Sequence, residues 1–222
     1  MTALIRYQTA LLLRSHRWLP PLVLYGAFLA VGVQTGGPIL DSLGYTAAVL
    51  LPVAAWLVRV VTTTEPAAAR ACAAAASSPA RLHLAALLSA LLCSLAPGSA
   101  ATVLIAATSD PHNTDRTVGV PVAQATAAGL LATLACALLG TAVGALCNRP
   151  LLHGPGRAVP ATLLAALLVL LVSGSPANAA VTGLVTGSHS GTVSIPWGPL
   201  GAAVGLAAGA MALACRLSSR RP

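Results

Sequence analysis

The sequence predicts an all-α, polytopic membrane protein with six transmembrane helices, and three observations carry that prediction. Of the 222 residues, 57% are hydrophobic and 7% are charged, and the mean hydropathy is +0.85. A soluble domain carries about 25% charged residues, so this composition suits a bilayer rather than water. The apolar residues fall into long runs separated by short polar or Gly/Pro-rich segments, as helices of about 20 residues crossing a membrane require. The charge is sided. There is no lysine, and eleven of the twelve arginines (Arg6, Arg14, Arg17, Arg59, Arg70, Arg81, Arg149, Arg157, Arg216, Arg220, Arg221) fall on one side of the six-span reading. Arg116 alone falls on the other, together with Asp41, Asp110 and Asp115. The positive-inside rule then places both termini in the cytoplasm.

Residues 2–17 carry Arg6, Arg14 and Arg17 among Leu4, Ile5, Leu11, Leu12 and Leu13. Leu4, Tyr7 and Leu11 share a helical stripe, which predicts an interfacial helix on the cytoplasmic surface. The first span is expected at about Trp18–Gln34, with Trp18 and Tyr25 as interface anchors, and the second at about Tyr45–Val61. Pro52 should kink the second span, and Arg59 can snorkel from its end. The third runs from about Leu82 to Ala107, bent at Pro97–Gly98, and the most polar loop of the chain, SDPHNTDRTVG, follows it. A long fourth span, about Val122–Cys147, leads through the basic loop LLHGPGR to a short fifth at about Ala158–Gly174. The uncharged, small-residue segment at 175–192 is expected to form a short re-entrant or surface-lying helix on the outer side, packed on protein. The sixth span is expected at about Ile195–Cys215.

Between the second and third spans lies RVVTTTEPAAARACAAAASSPAR, residues 59–81. It is too charged to cross a membrane and too apolar for a solvated linker. Thr64 or Glu65 can cap a helix whose first turn holds Pro66, where a missing N–H costs nothing. Alanines extend that helix to about Ala76. Ser77, Ser78 and Pro79 end it, because the residue before a proline is driven out of the helical region. A short helix of about three turns outside the bilayer, within residues 62–80, is therefore expected. It suits docking against another protein.

Several chemistries are excluded. A P-loop needs a lysine to reach the nucleotide phosphates, so no ATPase of that kind resides in this chain. A lysine Schiff base is excluded by the same absence. The four acids all fall in loops or at span ends, which disfavours a carrier driven by a buried carboxylate. The arginines are scattered singly, so no nucleic-acid partner is expected. The cysteines Cys72, Cys93, Cys136, Cys147 and Cys215 have no CxxC spacing, and neither a disulfide nor a metal site is expected. Asp110, His112 and Asp115 are metal-ligand types, but no fixed ligand spacing joins them and a solvated loop is the favoured reading. No nucleophile elbow, HExxH or paired-carboxylate arrangement occurs, so no catalytic site, enzyme activity or cofactor is expected. Gly140 and Gly144, and Gly201, Gly205 and Gly209, repeat at four-residue intervals that let helix backbones approach closely. Packing within one subunit is favoured over a dimer seam for both sets.

Together, the N-terminal amphipathic helix, the Glu-Pro-initiated helix after the second span, the six-span plan and the SPAN-type outer segment resemble the membrane subunit of type II ABC exporters. The chain resembles in particular the small actinobacterial permeases encoded apart from their ATPase. The resemblance implies that the helix after the second span is a coupling helix docking on the ATPase, with Thr64, Glu65, Pro66 and Arg70 at the contact. It also implies a connecting helix at 2–17, a re-entrant hairpin at 175–192, a second permease as partner, and residence in the bacterial cytoplasmic membrane. The expected function is ATP-driven export of an apolar or amphipathic substrate. The alternatives are a non-transporting polytopic protein, such as an immunity or scaffold factor, and, less favoured, a self-sufficient carrier.

Overall fold

The computed structural model describes residues 1–148 and 155–220. In chain order its helices are α1 (Thr2–Ser15), α2 (Leu19–Gly32), α3 (Ile39–Thr64), α4 (Ala67–Ala76), α5 (Pro79–Thr108), α6 (Val122–Cys147), α7 (Pro155–Leu171), α8 (Pro176–Ser190) and α9 (Trp197–Arg220). Among the described residues only two isolated bridges, and no strand, accompany them. Residues 149–154 and 221–222, which include Arg149, Arg221 and most of the basic loop LLHGPGR, lie outside the described residues.

Helices α3, α5, α6 and α9 are each long and apolar enough to cross a membrane, and α7 with α8 makes a fifth candidate, bent by 48° at its break. The first expected span is shorter than the sequence suggests. α2 has 14 residues, about 21 Å at 1.5 Å per residue, against a hydrocarbon core of about 30 Å. Both ends are cut by corners: His16 takes a left-handed conformation with φ 55° before the helix, and Gly36 has φ 76° after it. The third span, conversely, starts three residues earlier than expected, because Ser78 caps α5 by accepting the N–H of Arg81 and Pro79 takes the first position. α3 and α5 both continue as helix through Pro52 and Pro97.

The most apolar stretches of α3 and α6 are 67% and 72% buried, against 33% and 28% for α5 and α9, so α3 and α6 form the centre. Their approach is set by glycines. A Cβ on Gly140 would lie 2.3 Å from the Leu51 carbonyl oxygen, and one on Gly144 would lie 2.6 Å from Val58 Cβ. These two glycines pack inside the subunit, as expected. Gly201, Gly205 and Gly209 of α9 depart from that expectation, for a Cβ on any of them would meet nothing within 4 Å. Thr102 and Thr133 share a buried hydrogen bond of 2.9 Å between α5 and α6.

The polar loop at 109–121 folds over the end of the bundle away from α4. Ile39 N–H donates to the Asp110 carbonyl and Asp110 N–H to that of Gly37, while Thr114 N–H donates to Ser188. The buried Asn113 side chain accepts the N–H groups of Thr117 and Val118. The loop thus ties the α2–α3 corner to the end of α8, which explains a polar segment with a fixed shape. Asp110 binds His112 through one oxygen and Arg116 through the other. No third His, Cys, Asp or Glu joins them in a metal-holding group among the described residues.

The segment expected at 175–192 is α8, and it is packed on protein. Ala177, Ala180, Leu184, Gly187 and Ser188 are buried, and Gly44 of α3 lies against Val181, Leu184 and Val185. Ser175 caps α8 with Pro176 at its start, and Asn178 Nδ2 spans the break by donating to Leu170 O at 2.7 Å.

Candidate functional site

The corner joining α3 to α5 holds the residues singled out by the sequence, and neither Thr64 nor Glu65 caps the next helix as expected. α3 runs on through Thr64, whose hydroxyl donates back to Val60 O at 2.6 Å rather than capping the next helix. Glu65 is extended (φ −74°, ψ 124°), Pro66 likewise (φ −59°, ψ 145°), and α4 begins at Ala67 with no side-chain cap. The expected helix within 62–80 is therefore the ten residues of α4, flanked by the end of α3 and the start of α5. Glu65 caps nothing. The proline fixes the chain extended at this point, and the carboxylate turns to α1 instead.

That turn is specific. Tyr7 Oη donates to Glu65 Oε1 and Gln8 Nε2 donates to Oε2, both at 3.2 Å. Partial burial, and then the charge of Glu65, push the Tyr7 hydroxyl above its ordinary pKa, so it remains a donor throughout the neutral range. α1 itself is held on protein by Leu12, which is 1% exposed and packs in a cluster with Val58, Val61, Ala86, Leu87, Ala145 and Ala214. Ser89 Oγ of α5 donates to Ile5 O of α1. The stripe facing the protein is centred on Gln8 and Leu12, one turn apart, whereas Tyr7 is exposed. A stripe of Leu4, Tyr7 and Leu11 is what apolarity alone selects. It misses Gln8, because a glutamine enters the buried face only when a partner such as Glu65 waits there.

α4 has no buried residue. Arg70 is half-buried in a stripe with Ala69, Ala73 and Ala74, the side towards α5, which is the element α4 meets. Ala68, Ala71, Cys72, Ala75 and Ala76 form the exposed face. Arg70 is thus on the inner side, and no ion pair joins it to Glu65. At the same end of the bundle, Arg59 Nη1 donates to Asn148 Oδ1 at 3.0 Å, and Asn148 Nδ2 is anchored on Gly144 O. This pair fastens the end of α3 to that of α6.

The corner contains no nucleophile–base pair. What it can do chemically is mechanical: one exposed, small-faced helix is strung between two long ones, and α1 is tied to its root. Comparison of the chain with protein-family models, with curated proteins and with solved structures gave no match.

Proposed function

We propose that the chain is the permease half of an ATP-driven exporter of the ABC type. It would sit in a bacterial cytoplasmic membrane with both termini inside, with ATP hydrolysis on a separate subunit. The observation that carries the reading is α4, a ten-residue helix without a buried residue between two membrane-length helices. Such a helix adds little to the core, and its face of alanines and Cys72 offers a shallow surface that another protein can cover. Six spans follow if α2 and the bent α7–α8 pair each cross, the bilayer thinning locally around the short α2. Arg6, Arg14, Arg17, Arg59, Arg70 and Arg81 lie at or near the α4 end, which the positive-inside rule makes cytoplasmic. Closure of the ATPase pair would push α4, and α3 and α5 would carry the displacement through the bundle. The open glycine face of α9 offers a second permease a surface for close helix contact.

Cys72 provides the test, as the one exposed cysteine of the five. An impermeant maleimide is expected to leave Cys72 unmodified in intact cells and to modify it in inverted vesicles, with a Cys72→Ser chain as the blank. Co-expression with a P-loop ATPase of the ABC type from the same genome should protect Cys72 at least tenfold, and Ala71→Trp should abolish both the protection and co-purification. Labelling of Cys72 from outside intact cells would overturn the topology. Unaltered labelling and an intact complex with Ala71→Trp would overturn the docking role and favour a non-transporting membrane protein.

A further inference from the structure

At the end of the bundle opposite α4, the close of α2, the start of α3 and the middle of α8 enclose a cleft of about 420 Å³. That volume lies within the range of about 300–1,000 Å³ typical of small-molecule sites. Asp41 and Gln34 stand among its polar lining, and Tyr45, Ala48, Val181 and Val185 among the rest. Asp41, Tyr45 and Ala48 recur at i, i+4 and i+7, so one face of α3 carries a carboxylate and then apolar surface for about 10 Å along the axis.

Asp41 is the acid that lines this cleft and has no partner among the described residues; Asp115, also without one among them, lies on the exposed loop outside the cleft. Asp110 is engaged by His112 and Arg116. Arg116, the only arginine among the described residues at this end, borders an adjoining cleft of about 330 Å³ that shares Gln34, Gly37 and Pro38 with this one, and there it is paired with Asp110. No hydrogen bond or ion pair reaches the Asp41 carboxylate among the described residues, and His189 of α8 makes no side-chain bond to it. Asp41 lies in the first turn of α3 and is half-buried in the cleft. Tyr45 is held in place, its hydroxyl donating to Phe28 O at 3.2 Å.

We propose that this cleft binds an amphipathic organic cation, with its ammonium head against Asp41 and its hydrocarbon tail along Tyr45, Ala48, Val181 and Val185. The charge and the apolar wall lie in the order such a molecule presents them. The head could belong to a free alkylammonium or to an amine-bearing lipid, since both offer the same chemistry. The site depends on this chain alone and stands apart from any ATPase.

The test is photolabelling of the purified full chain in uncharged maltoside micelles with a diazirine-bearing decylammonium, read by mass spectrometry. Label is expected on Tyr45, Val181 or Val185, displaced by decylammonium and not by decanoate. It should fall at least tenfold in Asp41→Asn and persist in Asp41→Glu. Ala48→Leu, which keeps the charge and fills the wall, should also lose it. In nanodiscs, suppression by phosphatidylethanolamine relative to phosphatidylglycerol assigns the site to a lipid head, and label that survives assigns it to a free amphiphile. Labelling that ignores both Asp41→Asn and Ala48→Leu, or that decanoate displaces equally well, overturns the proposal.

Discussion

Gly140→Ala is expected to destabilise the bundle, and Gly205→Ala to leave it unchanged or slightly stabilised. The same chemical change therefore acts with opposite sign in two helices. In α6 the added methyl would stand 2.3 Å from the Leu51 carbonyl and 2.8 Å from Ala54 Cβ. The nearer neighbour is backbone and cannot rotate away, so α3 and α6 must separate along their contact. Overpacking of this kind costs about 1–3 kcal/mol, and the Arg59–Asn148 tie between the ends of α3 and α6 would be strained by the same movement. In α9 the methyl on residue 205 meets nothing within 4 Å, and the greater helix propensity of alanine acts alone, at up to about 1 kcal/mol. Thermal unfolding of the two purified variants, followed by loss of the monodisperse species, reads the difference. A Gly140→Ala protein as stable as the parent would mean that α3 and α6 do not approach as closely as described here.

Gly140 and Gly205 also mark the limit of what the sequence disclosed. Both belong to four-residue glycine repeats, and spacing alone cannot distinguish a repeat that faces a neighbouring helix from one that faces outward. The apolar runs were legible as helices because their length and the proline and glycine corners agree. α6 occupies Val122–Cys147, the bounds expected. α2 was overestimated because the apolar run extends past the helix: Val33 is already extended, with φ −102° and ψ 115°. The short helix after α3 was legible from its alanines and from Ser78–Pro79. The roles of Thr64 and Glu65 were not, because a capping pattern next to a proline has the same letters as a corner. The carboxylate's real partners, Tyr7 and Gln8, lie 58 and 57 residues away in the chain, beyond the reach of any local rule.

Glu65→Ala is expected to release α1 from the α3–α4 corner, with Glu65→Gln largely preserving the attachment. The alanine removes the acceptor of both Tyr7 and Gln8. Gln8 is 1% exposed, and its Oε1 already has no partner. Its amide would then be buried without any hydrogen bond, a loss of about 1–3 kcal/mol. Tyr7 is more exposed and can turn to water, so Tyr7→Phe alone should cost less than Glu65→Ala. Glutamine at 65 keeps an acceptor for one donor and brings an N–H₂ that can reach the unpartnered Gln8 Oε1. Hydrogen exchange of residues 2–15 in the full chain separates these cases. The alanine variant should exchange there at least tenfold faster, the equivalent of about 1.4 kcal/mol, and the glutamine variant within about threefold of the parent. The core of α6 should be unaffected in both. If Glu65→Ala leaves α1 as protected as before, the carboxylate is not what holds that helix, and Glu65 returns to being a group available to an external partner.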